Sequence, residues 1–271
     1  DVVFPANGPR MLEARSLLLG EHALSHGRVN ASGTVRADET VIGKGGTGEL
    51  WSSSDGHLTT KSLRVGDGPG GTGTLSTIEG FTLDLLGAAD APGRDDFLIV
   101  GNQGVGTFRF RGSCDLGTMS HGRFAIGDGT VDHPGLGTVN FGFESTISNR
   151  TLFRAPNLRV QSANVLGARA TMTLDHTDAT FWSLETGVGD SDIKVQESSE
   201  LTLRGNTLFG QAVGANVALD VGNLDETAQL WINGSVRADG VRVGGWHAGG
   251  FGGNAALLVR GNGSLQADYW D

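Results

Sequence analysis

The chain has 271 residues, with 30 acidic against 20 basic side chains and a net charge of −10, and it contains 45 glycines but only 6 prolines. An acidic surface disfavours nucleic acid as a partner, and no apolar run approaches the ~20 residues of a membrane helix. Cys114 is the only cysteine, which excludes an intrachain disulfide and a cysteine-ligated metal cluster. Many glycines with few prolines favour tight strand corners over collagen or a disordered linker.

Residues 1–29 differ from the rest of the chain. The sequence begins at Asp1 without a methionine, so we expect a processed chain, or a cloned segment, that has lost any targeting segment. Met11–Leu24 is poor in glycine and has the composition of a short helix; alternatively, Ala14–Leu19 is a strand that Gly20 ends. We favour the strand, because later segments share this apolar run followed by glycine. The segment is then an atypical first coil that caps the structure.

The stretch Leu63–Leu83 is the unit from which the chain is built. An alternating run ends at Val65 and Gly66, a glycine-rich turn follows over Asp67–Gly71, and a second alternating run begins at Thr72. Alternation predicts strands, because successive side chains point to opposite faces. Short strands joined by tight turns cannot bury their apolar faces alone, so each unit must stack on the next.

Six degenerate copies of this phrase recur, most of them at spacings of about 22 to 35 residues, a range typical of repeat architectures. They begin at Val41–Gly43, Leu98–Gly101, Phe124–Gly127, Leu158–Val160, Leu219–Gly222 and Val241–Gly244. The copies are regular over 30–150, degenerate over 151–215 and clear again over 216–271. Since no linker interrupts them, we predict one domain over residues 1–271, an all-β solenoid of stacked strands.

The apolar residues of the phrase are predicted to face inward and to form stacked rows. They are Val65, Leu75, Ile99, Phe108, Phe110, Ile126, Val139, Phe141, Val243 and Leu258. The glycine after each Val or Ile is predicted to form a corner with positive φ or a close backbone approach. Two insertions rich in Gly, Asp and Pro, Gly87–Asp96 and Asp128–Pro134, are predicted to be loops.

The repeated phrase resembles the repeats of autotransporter passenger domains and of PEP-CTERM-associated surface proteins. The resemblance is carried by Val65–Leu75, Val100–Phe110, Ile126–Phe141 and the opening Asp1–Gly8. It covers about residues 30–150 and 216–265, and it implies a right-handed parallel β-helix exported to the cell surface. For this length we expect roughly nine to eleven coils. The translocator and sorting segments of that family do not occur in the sequence, so we expect them to have been cleaved or the export route to differ.

The acidic residues between 175 and 204 are the best candidates for catalysis. They are Asp175, Asp178, Asp190 and Asp192, with His176 nearby and Arg204 one coil later. Paired carboxylates are able to serve glycoside hydrolysis or, with Ca²⁺, proton abstraction. The alternative is that these residues populate turns, where Asp side chains bond the local backbone. We favour turns, because no spacing recurs on matching strand positions, and we assign no catalytic, cofactor or metal residue.

Three glycine-rich segments resemble ligand-binding loops only superficially. Gly66–Gly68 and Gly127–Gly129 share Gly-Asp-Gly with calcium-binding nonapeptide repeats but lack the tandem array. Gly43–Gly48 lacks the terminal Gly-Lys-Ser/Thr of a phosphate loop and a following helix. All three are predicted to be repeat turns.

The remaining candidates are scattered. His22 and His26 make a metal-ligand pair only if their segment is helical. Thr72–Thr74 and Thr171–Thr173 are isolated rather than parts of a regular threonine array. Cys114 is predicted to be a buried small hydrophobe.

The leading hypothesis is a non-enzymatic extracellular structural protein on a bacterial surface. The last phrase, Leu257–Leu265, leaves little room for a cap, so its strand edges would pair with another copy and propagate a filament. The rivals are a polysaccharide-active enzyme with its site near 175–204, and a glycan-binding adhesin that uses Trp182, Trp246 and Phe251 as stacking platforms. None of these needs a cofactor or a membrane-spanning segment.

Overall fold

The computed structural model describes residues 2–3, 11–52, 55–86, 96–116, 122–142, 150–186, 189–195, 199–203, 219–221, 227–232, 235–243, 254–259 and 264–270. These residues form strands and turns, and no helix occurs among them. The strands pair in parallel in two long sheets. The described chain is therefore an all-β, solenoid-like stack of parallel strands, which confirms the predicted all-β class.

Twenty-three strands follow one another along the described residues. They are β1 Val2–Val3, β2 Met11–Leu19, β3 His26–Ala31, β4 Thr34–Ile42, β5 Thr47–Ser52, β6 His57–Asp67, β7 Thr72–Ser76, β8 Phe81–Leu85, β9 Asp96–Asn102, β10 Val105–Phe110, β11 Gly112–Asp115, β12 Gly122–Asp128, β13 Leu136–Phe141, β14 Thr151–Ser162, β15 Arg169–Leu174, β16 Thr177–Thr186, β17 Asp190–Val195, β18 Glu200–Leu203, β19 Leu219–Val221, β20 Thr227–Ile232, β21 Ser235–Val243, β22 Asn254–Val259 and β23 Ser264–Trp270.

The chain alternates between the two sheets. Sheet A has the order β1-β3-β5-β7-β10-β13-β15-β17-β20-β22, and sheet B contains the other thirteen strands. Each pass of the chain, here called a coil, adds one strand to sheet A and then one long or two short strands to sheet B. For example, β8 and β9 both pair with the long strand β6. Equivalent residues of successive coils thus lie beside one another in rows along the stack.

Glycine forms the corner at which the chain leaves sheet B for sheet A. The corner glycines Gly43, Gly66, Gly101 and Gly127 have φ between 65° and 76°. A Cβ on Gly66 would overlap the Val105 carbonyl of the next coil. The left-handed backbone and the close approach both favour glycine, so the predicted corners are confirmed. In the degenerate region Ala163 takes the same place, with a φ of 48°.

The core between the sheets is a single cluster with aromatic rows at its centre. Seven phenylalanines of the described residues are fully buried there: Phe81, Phe108, Phe110, Phe124, Phe141, Phe153 and Phe181. Phe141 lies in the middle, with its ring centroid 4.8 Å from that of Phe153 and 6.2 Å from that of Phe110. Successive coils are held together by these ring contacts as well as by the backbone ladders.

Seven of the ten residues predicted to face inward are core residues: Val65, Leu75, Phe108, Phe110, Ile126, Val139 and Phe141. The side chains of Val243 and Leu258 lie outside the described part of the structure.

The prediction for Ile99 is wrong. Ile99 is buried, but it pairs with Arg64 and Ala125 in an outer row, and its neighbours Leu98 and Val100 belong to the core. The strand is a continuous apolar run, so its sequence does not show which residues point into the core and which point outward.

The first coil is a strand, as we favoured. β2 pairs with β4 from Met11 beside Thr34 to Leu19 beside Ile42, and the helix alternative is wrong. Of the two predicted loops, 87–95 lies outside the described residues. The segment after Asp128 is a connection closed by hydrogen bonds between Thr130 and His133.

Candidate functional site

The corner between β15 and β16 contains the first pair of acidic-site candidates. Asp175 Oδ1 and His176 Nδ1 are 2.8 Å apart, and the Thr177 hydroxyl donates to the Asp175 carbonyl at 2.8 Å. His176 has a φ of 45°, a conformation typical of turns. The turn interpretation holds for this pair, while Arg204 lies outside the described residues.

Asp190 and Asp192 lie on strand β17, so the turn interpretation is wrong for both. Their carboxylates are paired with bases on the outer face of sheet A, Asp190 with Arg169 at 3.6 Å and Asp192 with Lys194 at 2.7 Å. The buried residue between them, Ser191, occupies the row of small residues that contains the sheet A glycines. An Asp-Ser-Asp run suggests a turn by composition, but here it satisfies the small-inside, polar-outside alternation of a strand.

Asp178 lies on β16, on the outer face of sheet B, and the turn interpretation is wrong for it as well. The Arg150 guanidinium donates to its carboxylate. Glu200 on β18 is its register neighbour in the next coil. In the adjacent outer row, Asp115 on β11 is the register neighbour of Arg154 on β14. The structure therefore gathers charged side chains from four strands at this place.

These side chains line an open groove of about 580 Å³, which we call the sheet B groove. Its polar lining consists of Asp115, Arg154, Asp178, Thr180, Glu200 and Thr202, and Pro156 adds an apolar surface. Carboxylates accept hydrogen bonds, a guanidinium donates them, and threonine hydroxyls do both. The groove can therefore hold a ligand that offers many donors and acceptors.

A smaller pocket of about 260 Å³ adjoins the groove. Arg150 lines this pocket while donating to Asp178 in the groove, so their ion pair stands between the two spaces. On the far wall Arg111 Nη2 donates to Glu79 at 3.2 Å. The buried Nε of Arg111 has no hydrogen-bond partner within the described structure. Both spaces are lined by acidic and basic groups, and the Arg150–Asp178 pair links them.

The two Gly-Asp-Gly segments contribute to a ladder of side chains beside the corner glycines. Asn102 donates to Asp67 at 2.5 Å, and Asn164 donates to Asp128 at 3.4 Å. Arg123 also donates to Asp128 at 2.7 Å. Both carboxylates are nearly buried and satisfied by protein donors, which gives them a structural role. Among the described residues, no group of three or more His, Cys, Asp or Glu is arranged to hold a metal ion.

A threonine row on the outer face of sheet A was missed. In the sequence these threonines are far apart and look isolated. The strand register places four of them side by side: Thr74, Thr107, Thr138 and Thr171. Each threonine belongs to a different repeat, so only the fixed register reveals the row. Neighbouring β-branched residues of this kind stabilise a sheet through cross-strand contacts.

Among the described residues, burial shifts the pKa of two titratable groups. Burial raises the pKa of the Cys114 thiol, and the charges of Asp84 and Asp115 raise it further. Cys114 is fully buried on β11, as predicted. Burial also raises the pKa of Glu185 on β16, against the lowering effect of hydrogen bonds from Gln161 and Ser183.

Several other candidates are not brought together. His22 lies in a turn and His26 begins β3, so no helical metal-ligand pair forms. Gly43–Gly48 joins β4 to β5 with no helix after it, which confirms it as a repeat turn. Of the aromatic platforms, Trp182 is half-buried on β16, and the other two residues, Trp246 and Phe251, lie outside the described part.

Comparison of the chain with family models, with curated proteins and with solved structures gives no match. The resemblance to passenger-domain repeats therefore stays a prediction. Among the described residues, no helix has the length and apolarity needed to cross a membrane.

Proposed function

We propose that the chain is a non-enzymatic, extracellular structural protein, displayed on a bacterial surface and associating end to end into a stalk or fibre. In this proposal the stack is a right-handed parallel β-helix of roughly nine to eleven coils, each adding ~4.8 Å to its length. The parallel sheets and regular corners support the helix. The resemblance of the repeated phrase to exported passenger domains supports the location.

The exposure of Val259 at one end of sheet A is the observation that carries this proposal. Backbone register places Val259 two strands beyond Val195, whose side chain faces the core. Earlier members of this register row, Phe141 and Leu174, are fully buried, whereas Val259 is 46 % exposed. β22 pairs with β20 alone among the described strands. A first coil from a second copy would cover this open row and pair with the free strand edge.

The pairing of the acidic candidates supports a structural rather than a catalytic role. Asp178 is paired with Arg150, Asp192 with Lys194, and Asp175 with His176. These pairs lie on sheet B, on sheet A and at a corner between them. The three predicted candidates are therefore not gathered across one bond of a substrate, as the two carboxylates of a hydrolase are.

Two matched substitutions test the end-to-end contact. Val259→Lys places a charge on the open row, and Val105→Lys places the same charge on an equally exposed valine, 42 % exposed, on the side of the stack. Electron microscopy and sedimentation over a concentration series should show wild-type rods that lengthen with concentration. Val259→Lys should remain as single rods, and Val105→Lys should behave like the wild type.

The proposal fails if the wild-type protein stays monomeric at its highest soluble concentration. It also fails if both lysine variants shorten the rods equally, because the contact would then not run through the stack end.

A further inference from the structure

We propose that the sheet B groove and its adjoining pocket form one binding site for a neutral glycan chain lying along the axis of the stack. This inference goes beyond the structural role, since it gives one side of the stack a ligand of its own. It rests on the mixed lining of the groove, on the pairing of the strands beneath it and on its charge.

The lining offers free hydrogen-bonding capacity. Within the described structure the Arg154 guanidinium has no hydrogen-bond or ion-pair partner, so its five N–H donors are available to a ligand. From the described residues, Glu200 accepts one weak contact, from Thr202 at 3.4 Å. Register places Thr180 between Arg154 and Thr202 in the lining. Vicinal hydroxyls of a sugar accept from a guanidinium and donate to a carboxylate, which matches this set.

The strands beneath the groove exclude peptide recognition by strand addition. β14 pairs with β11 and β12 on one side and with β16 on the other, and β16 pairs onward with β18 and β19. A peptide adds to a sheet through free backbone groups at an edge, and the floor of the groove has no edge. Recognition here must therefore use side chains, which suits a ligand covered with hydroxyl groups.

The charge of the site favours a neutral ligand. Among the described residues, the two spaces are lined by four carboxylates and three guanidinium groups, so the balance is four minus three, or one net negative charge: Glu79, Asp115, Asp178 and Glu200 against Arg111, Arg150 and Arg154. The whole chain carries −10. A polyanion would be repelled by both. A polycation would be repelled by the Arg154 guanidinium in the same groove, whereas a neutral polyol meets no like charge there.

The dimensions suit an extended chain. The groove lining comes from β11, β14, β16 and β18, four successive strands of sheet B, which span about 14 Å along the axis. The pocket beyond Arg150 adds to the length of the groove. Leu152 in the pocket and Pro156 in the groove supply apolar contacts for the C–H faces of sugar rings. A short oligosaccharide therefore fits along the stack better than a single sugar.

Calorimetric titration with defined oligosaccharides tests the site. The probes are cellohexaose, laminarihexaose and maltohexaose, with hexagalacturonate as the charged comparison. We expect at least one neutral probe to bind, and no new reducing ends to form. Arg154→Ala should weaken that binding by about tenfold or more, because a hydrogen bond from a charged group is lost.

Arg36→Ala is the matched control. Arg36 is an exposed arginine in the same outer row of sheet B, on β4, outside the groove, and its removal should leave the affinity unchanged. Glu200→Gln keeps the shape of the acceptor side, and it should also weaken binding. Thermal unfolding of each variant confirms that the fold is retained.

Three results would overturn the proposal: no binding by any neutral probe at its highest soluble concentration, binding of hexagalacturonate alone, or equal affinities for Arg154→Ala and Arg36→Ala. The first would leave the end-to-end assembly untouched, because Val259 lies in sheet A and takes no part in the groove.

Discussion

Replacing Gly66 by alanine tests whether the corners depend on close packing or only on backbone conformation. Gly66 has a φ of 71°, and an L-residue in that conformation costs about 1–2 kcal/mol. A Cβ at this position would also lie well under 3.0 Å from the Val105 carbonyl, a backbone atom of sheet A. Because that carbonyl cannot move without distorting the sheet A ladder, we add about 1–3 kcal/mol for overpacking. The expected loss is about 2–5 kcal/mol.

Gly70 provides a matched control in the same turn. Its φ is 76°, but an added Cβ would meet no atom within 4 Å. Gly70→Ala should therefore cost only the conformational part, about 1–2 kcal/mol. Ala163, which adopts a φ of 48° at an equivalent corner, shows that the conformation alone is tolerated.

Urea unfolding followed by circular dichroism measures both variants against the wild type. The slope of the transition must be checked, because repeat stacks lose two-state behaviour when one coil is weakened. If Gly66→Ala is as mild as Gly70→Ala, the corner is not closely packed and the reasoning is wrong.

Two further substitutions test the core and a half-buried acid. Phe141→Ala removes the ring at the centre of the aromatic rows and should lower the free energy of unfolding by about 3–5 kcal/mol, with Phe141→Leu costing clearly less; equal losses in urea would contradict the ring-packing account. Burial raises the pKa of Glu185, so the folded chain keeps that proton to higher pH than the unfolded chain, and the stability from this group is present at acid pH and lost as pH rises through the folded pKa. Glu185→Gln should therefore raise Tm at neutral pH, and the gain should shrink toward acid pH; a gain that does not depend on pH would refute the assignment.

The sequence predicts the stack because its signals are local. Alternation identifies strands such as β7, and glycine after Val65 marks a corner through the conformation that it permits. These signals fail where composition imitates another structure. Asp190 and Asp192 suggest a turn by residue type, and the apolar run through Ile99 conceals which residues face inward.

The groove could not be predicted from spacing along the chain. Asp115, Arg154 and Glu200 are separated by dozens of residues and by insertions of different length, and only the register of sheet B brings them together. The same holds for the threonine row on sheet A. Register in this fold is set by the core and the corners jointly, so surface neighbours appear only once the whole stack is built.

The ladder of Asp67, Asn102, Asp128 and Asn164 limits which insertions and deletions of whole coils the protein can tolerate. Charged and neutral side chains alternate from coil to coil. Removing the single coil that contains Asn102 would set Asp67 against Asp128, two like charges about 4.8 Å apart in a nearly buried row. Removing two neighbouring coils would restore the alternation. Recombination in this part of the chain should therefore be tolerated in pairs of coils and selected against in single ones.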